Sequence, residues 1–200
     1  RLNFDEALAL KSGWLLLAGI EAEPAFAMPF TIALGALGRA VQDPGAVFLV
    51  ARIVTAGTVL AALLAGFWCT SKSVRVTATA AVLTLLQATF FVHGLEFRYD
   101  AALLVGVLLA MPLLRRGTDR DLLLLGSIAG CLALHHLKGV FLAAAVIALA
   151  LARGGLRVRT IRSVALGATG VIVAWLAVAH ATGALPDTLR MYATFFRVGT

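Results

Sequence analysis

Charge is scarce in this 200-residue chain: 14% of residues are charged, ten acidic against seventeen basic. Soluble globular domains carry about 25% charged and about 45–50% apolar residues. Here 61% of residues are hydrophobic and the mean hydropathy is +0.97, which places the chain among integral membrane proteins. Cysteine is reduced to Cys69 and Cys131, both in or beside apolar runs. They lack metal-ligand spacing and argue against a disulfide framework. No P-loop, dinucleotide-binding glycine pattern or zinc-protease motif occurs. The chain opens on Arg1 rather than Met, and its first residues show no secretory-signal pattern. The expectation is a piece of a longer protein, with at least one further span upstream.

What is present is a succession of apolar runs. Residues 1–45 are not a clean span. Asn3 and Glu6 look like a helix start. The run Ala7–Gly19 is interrupted by Lys11 and Ser12, and Trp14 suits a membrane–water interface. These features predict a helix lying on the membrane surface, ended at Pro24. A second apolar piece, Met28–Leu37, precedes a turn at Asp43-Pro44-Gly45. The expected bundle occupies residues 46–182, with about six spans at Ala46–Trp68, Val76–Val92, Ala101–Leu114, Leu122–Leu134, Val140–Ala152 and Val164–Thr182. Residues 183–200 begin a polar extracytoplasmic tail. The fold class is therefore all-α: a multispanning helical membrane bundle, with a first external loop that carries surface-lying helices.

The loops give an orientation. Lys72 and Arg75, then Arg115, Arg116 and Arg120, then Arg153, Arg157, Arg159 and Arg162 fall in alternate loops. Basic residues collect in cytoplasmic loops, so topology explains the positive charge and no nucleic-acid partner is needed. The opposite side receives eight of the ten acidic residues: Asp5, Glu6, Glu21, Glu23, Asp43, Glu96, Asp100 and Asp187. His93, His135, His136 and His180 lie at or near the same side. Leu122–Leu134 and Val140–Ala152 give only about 20 Å of helix each against a hydrocarbon core of about 30 Å. Either these helices extend through the histidines, or His135–Lys138 lies below the outer surface in a recessed cleft.

Several outer residues have a plain and a functional reading. Asp5 and Glu6 suit the start of a helix for electrostatic reasons alone. Arg52 either snorkels to the interface or binds an anion. Asp100 can cap a helix starting at Ala101, which leaves Glu96 and Arg98 unexplained. Lys138, between two apolar helices, is costly unless paired or wet. The adjacent His135 and His136 point to different faces and do not make a metal site. Together, cations at membrane depth suit a phosphate whose lipid tail stays in the bilayer. Nearby carboxylates can take a proton from an attacking hydroxyl.

Four segments carry a resemblance: "NFDEALAL", "EPAFAMPFTIALGALG" followed by "FLVARIVTAG", "HGLEFRYDAALL" and "LHHLKGVFLAAA". In order and spacing, over about residues 3–150, they resemble multispanning C-type-fold glycosyltransferases that use polyprenyl-phosphate sugars. Protein O-mannosyltransferases and aminoarabinose transferases belong to that class. The chain departs from it at Ala27-Met28-Pro29, where the family often has His-Pro-Pro or Lys-Pro-Pro, and at Tyr99. The family's first span and C-terminal periplasmic domain are expected to lie outside these residues.

The resemblance implies that Asp5 is the catalytic carboxylate, beside Glu6, and that Arg52 binds the donor phosphate. Added to the reading of the residues, it gives a donor-phosphate set of Arg52, Arg98 and Lys138, walled by Glu96, Asp100, His93 and His136. The expected function is sugar transfer from a polyprenyl-phosphate donor to a lipid, glycan or protein acceptor, on the outer face of the cytoplasmic membrane and with inversion. No cofactor is assigned, and a divalent metal is left open. A transporter or flippase of an anionic lipid or solute is the alternative. It predicts inverted repeats, which the sequence lacks. A non-catalytic scaffold of spans explains neither Lys138 nor the stretch Glu96–Asp100.

Overall fold

The computed structural model describes residues 10–15, 18, 29–41, 43–87 and 99–197. Among them the regular structure is helix throughout, with no strand. After a short helical stretch at 10–15 come eight helices: α1 (Pro29–Val41), α2 (Pro44–Ser71), α3 (Val74–Leu85), α4 (Tyr99–Arg116), α5 (Asp119–His135), α6 (Leu137–Gly154), α7 (Val158–Ala181) and α8 (Leu185–Arg197). Two of them are long and apolar enough to cross a membrane: α2 from Gly45 to Ser71, and α7. Only 28% and 22% of their apolar windows are buried, whereas the core helix of a soluble protein is mostly buried.

The charged loops are shorter than the sequence suggests. Pro44 opens α2 instead of sitting in a turn. The Asp43 carboxylate accepts from the Gly45 amide at 2.9 Å, and proline at a first helical position forfeits no internal hydrogen bond. The Thr70–Arg75 loop shrinks to Lys72 and Ser73. The basic loop at Arg153–Arg162 shrinks to Gly155–Arg157, with Arg159 and Arg162 already on α7. The tail from Leu185 is a helix of 13 residues, with Thr188 buried and Asp187 near Arg190 at 3.7 Å. The span expected at Val76–Val92 is a helix only from Val74 to Leu85, and residues 88–92 lie outside the described set.

The chain divides into two compact units, residues 1–51 with 173–200 and residues 52–172. In the first, α1 lies against the stretch at 10–15. A side chain at Gly35 would overlap the Gly13 carbonyl, and Gly38 faces the Trp14 ring.

In the second unit, α4, α5 and α6 run antiparallel around one core. Leu103 and Leu113 of α4, Leu125 and Leu132 of α5, and Val146 and Ala150 of α6 fill it. The parallel pair α2 and α4 buries Val59, Ala62 and Leu63 against Ala101 and Leu108. Pro112 has no N–H to give the Leu108 carbonyl, and Gly66 of α2 faces that carbonyl. Helices α5 and α7 approach through glycine. A Cβ at Gly126 would overlap the Val164 carbonyl, and one at Gly167 would overlap the Leu123 carbonyl. Gly126 and Gly130 form the small-xxx-small spacing that lets helices pack closely in lipid.

One end of this unit gathers the basic residues. The Arg115 guanidinium donates to the Cys69 and Thr70 carbonyls at 3.3 and 2.6 Å, closing the C-terminus of α2. Arg153 donates to the Arg115 carbonyl at 3.5 Å, and Arg159 pairs with Asp119. Thr118 and Asp121 form a reciprocal capping box at the start of α5. Asp121 also meets Arg116 at 3.2 Å with its own side chain only 7% exposed. The Thr118 hydroxyl hydrogen bond lowers the Asp121 pKa below its ordinary value. Burial opposes this, while the Thr118 amide, Arg116 and Arg120 reinforce it. Gly117 and Gly155, both at positive φ, end α4 and α6 here, a backbone region that other residues enter only at a cost.

Candidate functional site

The opposite end of the same bundle is built around a single residue. Helix α5 runs through His135 and α6 begins at Leu137, so His136 alone is extended between them (φ −165°, ψ 156°). The chain reverses this tightly because Gly139 rests on the Leu132 carbonyl, where any side chain would collide. His136 Nδ1 accepts from the Lys138 amide at 3.1 Å, and its carbonyl accepts from the Gly139 amide at 2.8 Å. An accepting Nδ1 carries no proton, so this cap requires the neutral imidazole protonated at Nε2. Electrostatics favour the same form. Burial first, then the Lys138 ammonium, lower the His136 pKa, and the Asp100 carboxylate opposes them. Helix α5 is longer than Leu122–Leu134 by His135 at its end and by Asp119–Asp121 at its start, reaching 17 residues or about 25 Å.

Lys138 stands in the first turn of α6, the positive end of that helix dipole, where a cation is disfavoured. Its compensation comes from another helix. Lys138 Nζ lies 3.2 Å from Asp100 Oδ1, and Asp100 is in the first turn of α4. Asp100 is therefore inside the helix that it was expected to cap, and its carboxylate reaches across to α6. The side chains remain 67% and 47% exposed, so the pair is open at the bundle end. A lysine ammonium has three donors, of which Asp100 takes one.

Between α4 and α5 lies an apolar groove with a volume of about 280 Å³. Val105, Gly106 and Leu109 line one wall, and Leu124, Ile128 and Leu132 line the other. Ser127, Cys131 and His135 supply its few polar atoms, at successive four-residue steps along α5. The groove thus runs along the bundle and finishes at His135, the residue that precedes His136 in the chain.

Of the residues expected from sequence, the structure brings together Asp100, His136 and Lys138. Arg52 is on α2, half-buried. The packing of Val59 and Ala62 on Ala101 sets Asp100 near the level of Val59. Arg52 is then roughly 10 Å further along the axis. Asp5, Glu6, His93, Glu96 and Arg98 lie outside the described residues. Among the described residues no group of three or more His, Cys, Asp or Glu is placed to hold a metal ion.

Sequence reasoning missed the Asp100–Lys138 pair as a pair, because the two residues are 38 positions apart. It missed the cross-helix role of Arg115 for the same reason. The capping box at Thr118–Asp121 was open to discovery from its spacing, with Asp in place of the usual Glu. Comparison of the chain with protein-family models, with curated proteins and with solved structures gives no match.

Proposed function

We propose that this protein is a multispanning membrane glycosyltransferase, or the membrane half of one, using a polyprenyl-phosphate sugar as donor. The observation that carries the reading is the placement of Lys138. A cation sits at a positive helix end, only partly neutralised by Asp100, at the end of the bundle where the apolar groove finishes in His135 and opposite the basic end. That combination selects an anion attached to a hydrophobic chain. The prenyl tail lies along the α4–α5 groove, and the phosphate takes the two Lys138 donors that Asp100 leaves. The sequence reading and the resemblance add Arg52 and Arg98 to the donor-phosphate set, and Glu96, Asp100, His93 and His136 to its wall.

The basic end faces the cytoplasm by the positive-inside rule, which puts the Lys138 end on the outer face of the cytoplasmic membrane. The resemblance assigns Asp5, with Glu6 beside it, as the carboxylate that takes the proton from the acceptor hydroxyl. The acceptor oxygen then bonds to the anomeric carbon as the bond from that carbon to the phosphate oxygen breaks. Polyprenyl phosphate leaves with the bonding electrons, and the configuration inverts.

The test is binding of a polyprenyl monophosphate to the full-length protein in lipid nanodiscs. Lys138→Gln should weaken it about tenfold, the loss of one charge-assisted contact. Equal binding by Lys138→Gln and the unaltered protein sinks this reading.

A further inference from the structure

The basic end holds a second concave site, separate from the groove at the other end. It is lined by Asp119, the first residue of α5, and by Val158, Arg159, Arg162, Ser163 and Leu166 of α7, with a volume of about 550 Å³. Arg159, Arg162, Ser163 and Leu166 are spaced i, i+3, i+4 and i+7, so they share one face of α7. Their chemistry is graded along that face. Arg159 is held by Asp119. Arg162 is exposed, with no ion pair among the described residues, and Ser163 adds a hydroxyl. Leu166 follows, 55% exposed, then Gly170 with open space where a side chain would be. On α5, Leu123 lies one turn below Asp119 and is also exposed.

We infer that this pocket binds the phosphate of an anionic membrane phospholipid, with an acyl chain descending along Leu166 and Gly170. Arg162 and Ser163 take the phosphate oxygens, and Asp119 orients Arg159 toward them. The apolar continuation is what distinguishes a lipid from a soluble anion: a free phosphate or nucleotide gains nothing from Leu166 and the open track beside Gly170. The surrounding charge sets the preference for a net-negative lipid over a zwitterionic one. Nine basic residues, from Lys72 to Arg162, stand near this end with only Asp119 and Asp121 to offset them. Basic pockets between helices at the cytoplasmic surface recognise lipid headgroups in this way. The inference rests on the membrane reading above, but not on sugar transfer.

The experiment compares phosphatidylglycerol with phosphatidylcholine on the full-length protein in detergent. Thermal melting and retention of lipid in native mass spectrometry are the two readouts. Phosphatidylglycerol should raise the melting temperature more than phosphatidylcholine and be retained preferentially. Arg162→Gln should weaken its affinity about fivefold, the effect of one basic residue at a lipid surface. Arg75→Gln, in the same charged end but outside the pocket, should leave the affinity within twofold. Should Arg162→Gln fold poorly, the lipid preference of the unaltered protein still decides. Equal retention of both lipids overturns the inference while leaving the membrane reading intact. Failure of both lipids to bind or stabilise the protein overturns both readings. An equal shift with glycerol phosphate, which has no acyl chain, shows an anion site in place of a lipid site and overturns the inference.

Discussion

The two ends of the helical unit formed by residues 52–172 use charge in opposite ways. At the basic end, three arginines serve the fold. Arg115 caps α2, Arg116 meets the buried Asp121, and Arg159 meets Asp119. At the other end one exposed ion pair, Lys138 with Asp100, sits beside a one-residue break and an apolar groove. Exposed pairs contribute about 0–1 kcal/mol in water, so stability does not explain why a lysine stands at a helix N-terminus. Charges that terminate helices hold the structure, whereas a charge placed against its own helix dipole is available to a ligand.

The proposed chemistry is broken most severely if loss of Asp5 is tolerated. Asp5→Asn should lower transfer from a polyprenyl-phosphate sugar by about 10²–10⁴-fold, the usual worth of a positioned proton acceptor. The melting temperature should stay unchanged, and unimpaired transfer removes Asp5 from the chemistry. The basic end should behave inversely. Asp121→Ala deletes half of a capping box and leaves Arg116 without its carboxylate. It should cost about 1–3 kcal/mol in denaturant or thermal unfolding, with lipid-phosphate binding by the folded fraction retained. A variant that melts normally but fails to bind would assign ligand recognition to the wrong end.

Acid separates the two ends more gently. The His136 pKa is lowered from 6.5, so the folded state favours neutral imidazole. Its contribution is complete above about pH 6.5 and is lost as pH falls through the folded pKa, because protonation also removes the Nδ1 acceptor. The Asp121 pKa is lowered from 3.8, so its contribution is complete above that value and is lost only as pH falls through the lower folded pKa. Hydrogen exchange between pH 7 and pH 5 should therefore loosen residues 134–139 and leave 118–123 protected. The reverse order contradicts the roles given to the two caps. The smallest effect is expected at Lys72, the sole non-glycine residue at positive φ among the described residues. Lys72→Gly should stabilise the α2–α3 turn by about 1 kcal/mol or less, measured by thermal unfolding.

Much of the helical layout was legible from the runs of apolar residues, since a helix in lipid must satisfy its backbone internally and cover itself with apolar side chains. Helix ends were less so. Arg75, Arg159 and Arg162 looked like loop residues because charge was equated with loop, but each stands inside a helix, α3 or α7. Of the candidate site, Lys138 and Asp100 were visible as separate anomalies. Their pairing was not, because it depends on how α4 and α6 pack. The groove was not visible either, since Ser127, Cys131 and His135 gain meaning only once α4 lies beside α5.

Composition and periodicity by themselves determined an all-helical, strongly apolar chain with basic residues grouped in alternate connections. Those are local properties, fixed by side-chain transfer and backbone hydrogen bonding. Only the tertiary structure decided which charges became caps and which one was left in an exposed pair at the end of the bundle where the groove finishes. That choice belongs to helix packing, through the close approaches at Gly126, Gly139 and Gly167. A glycine states that two backbones can meet, and not which two.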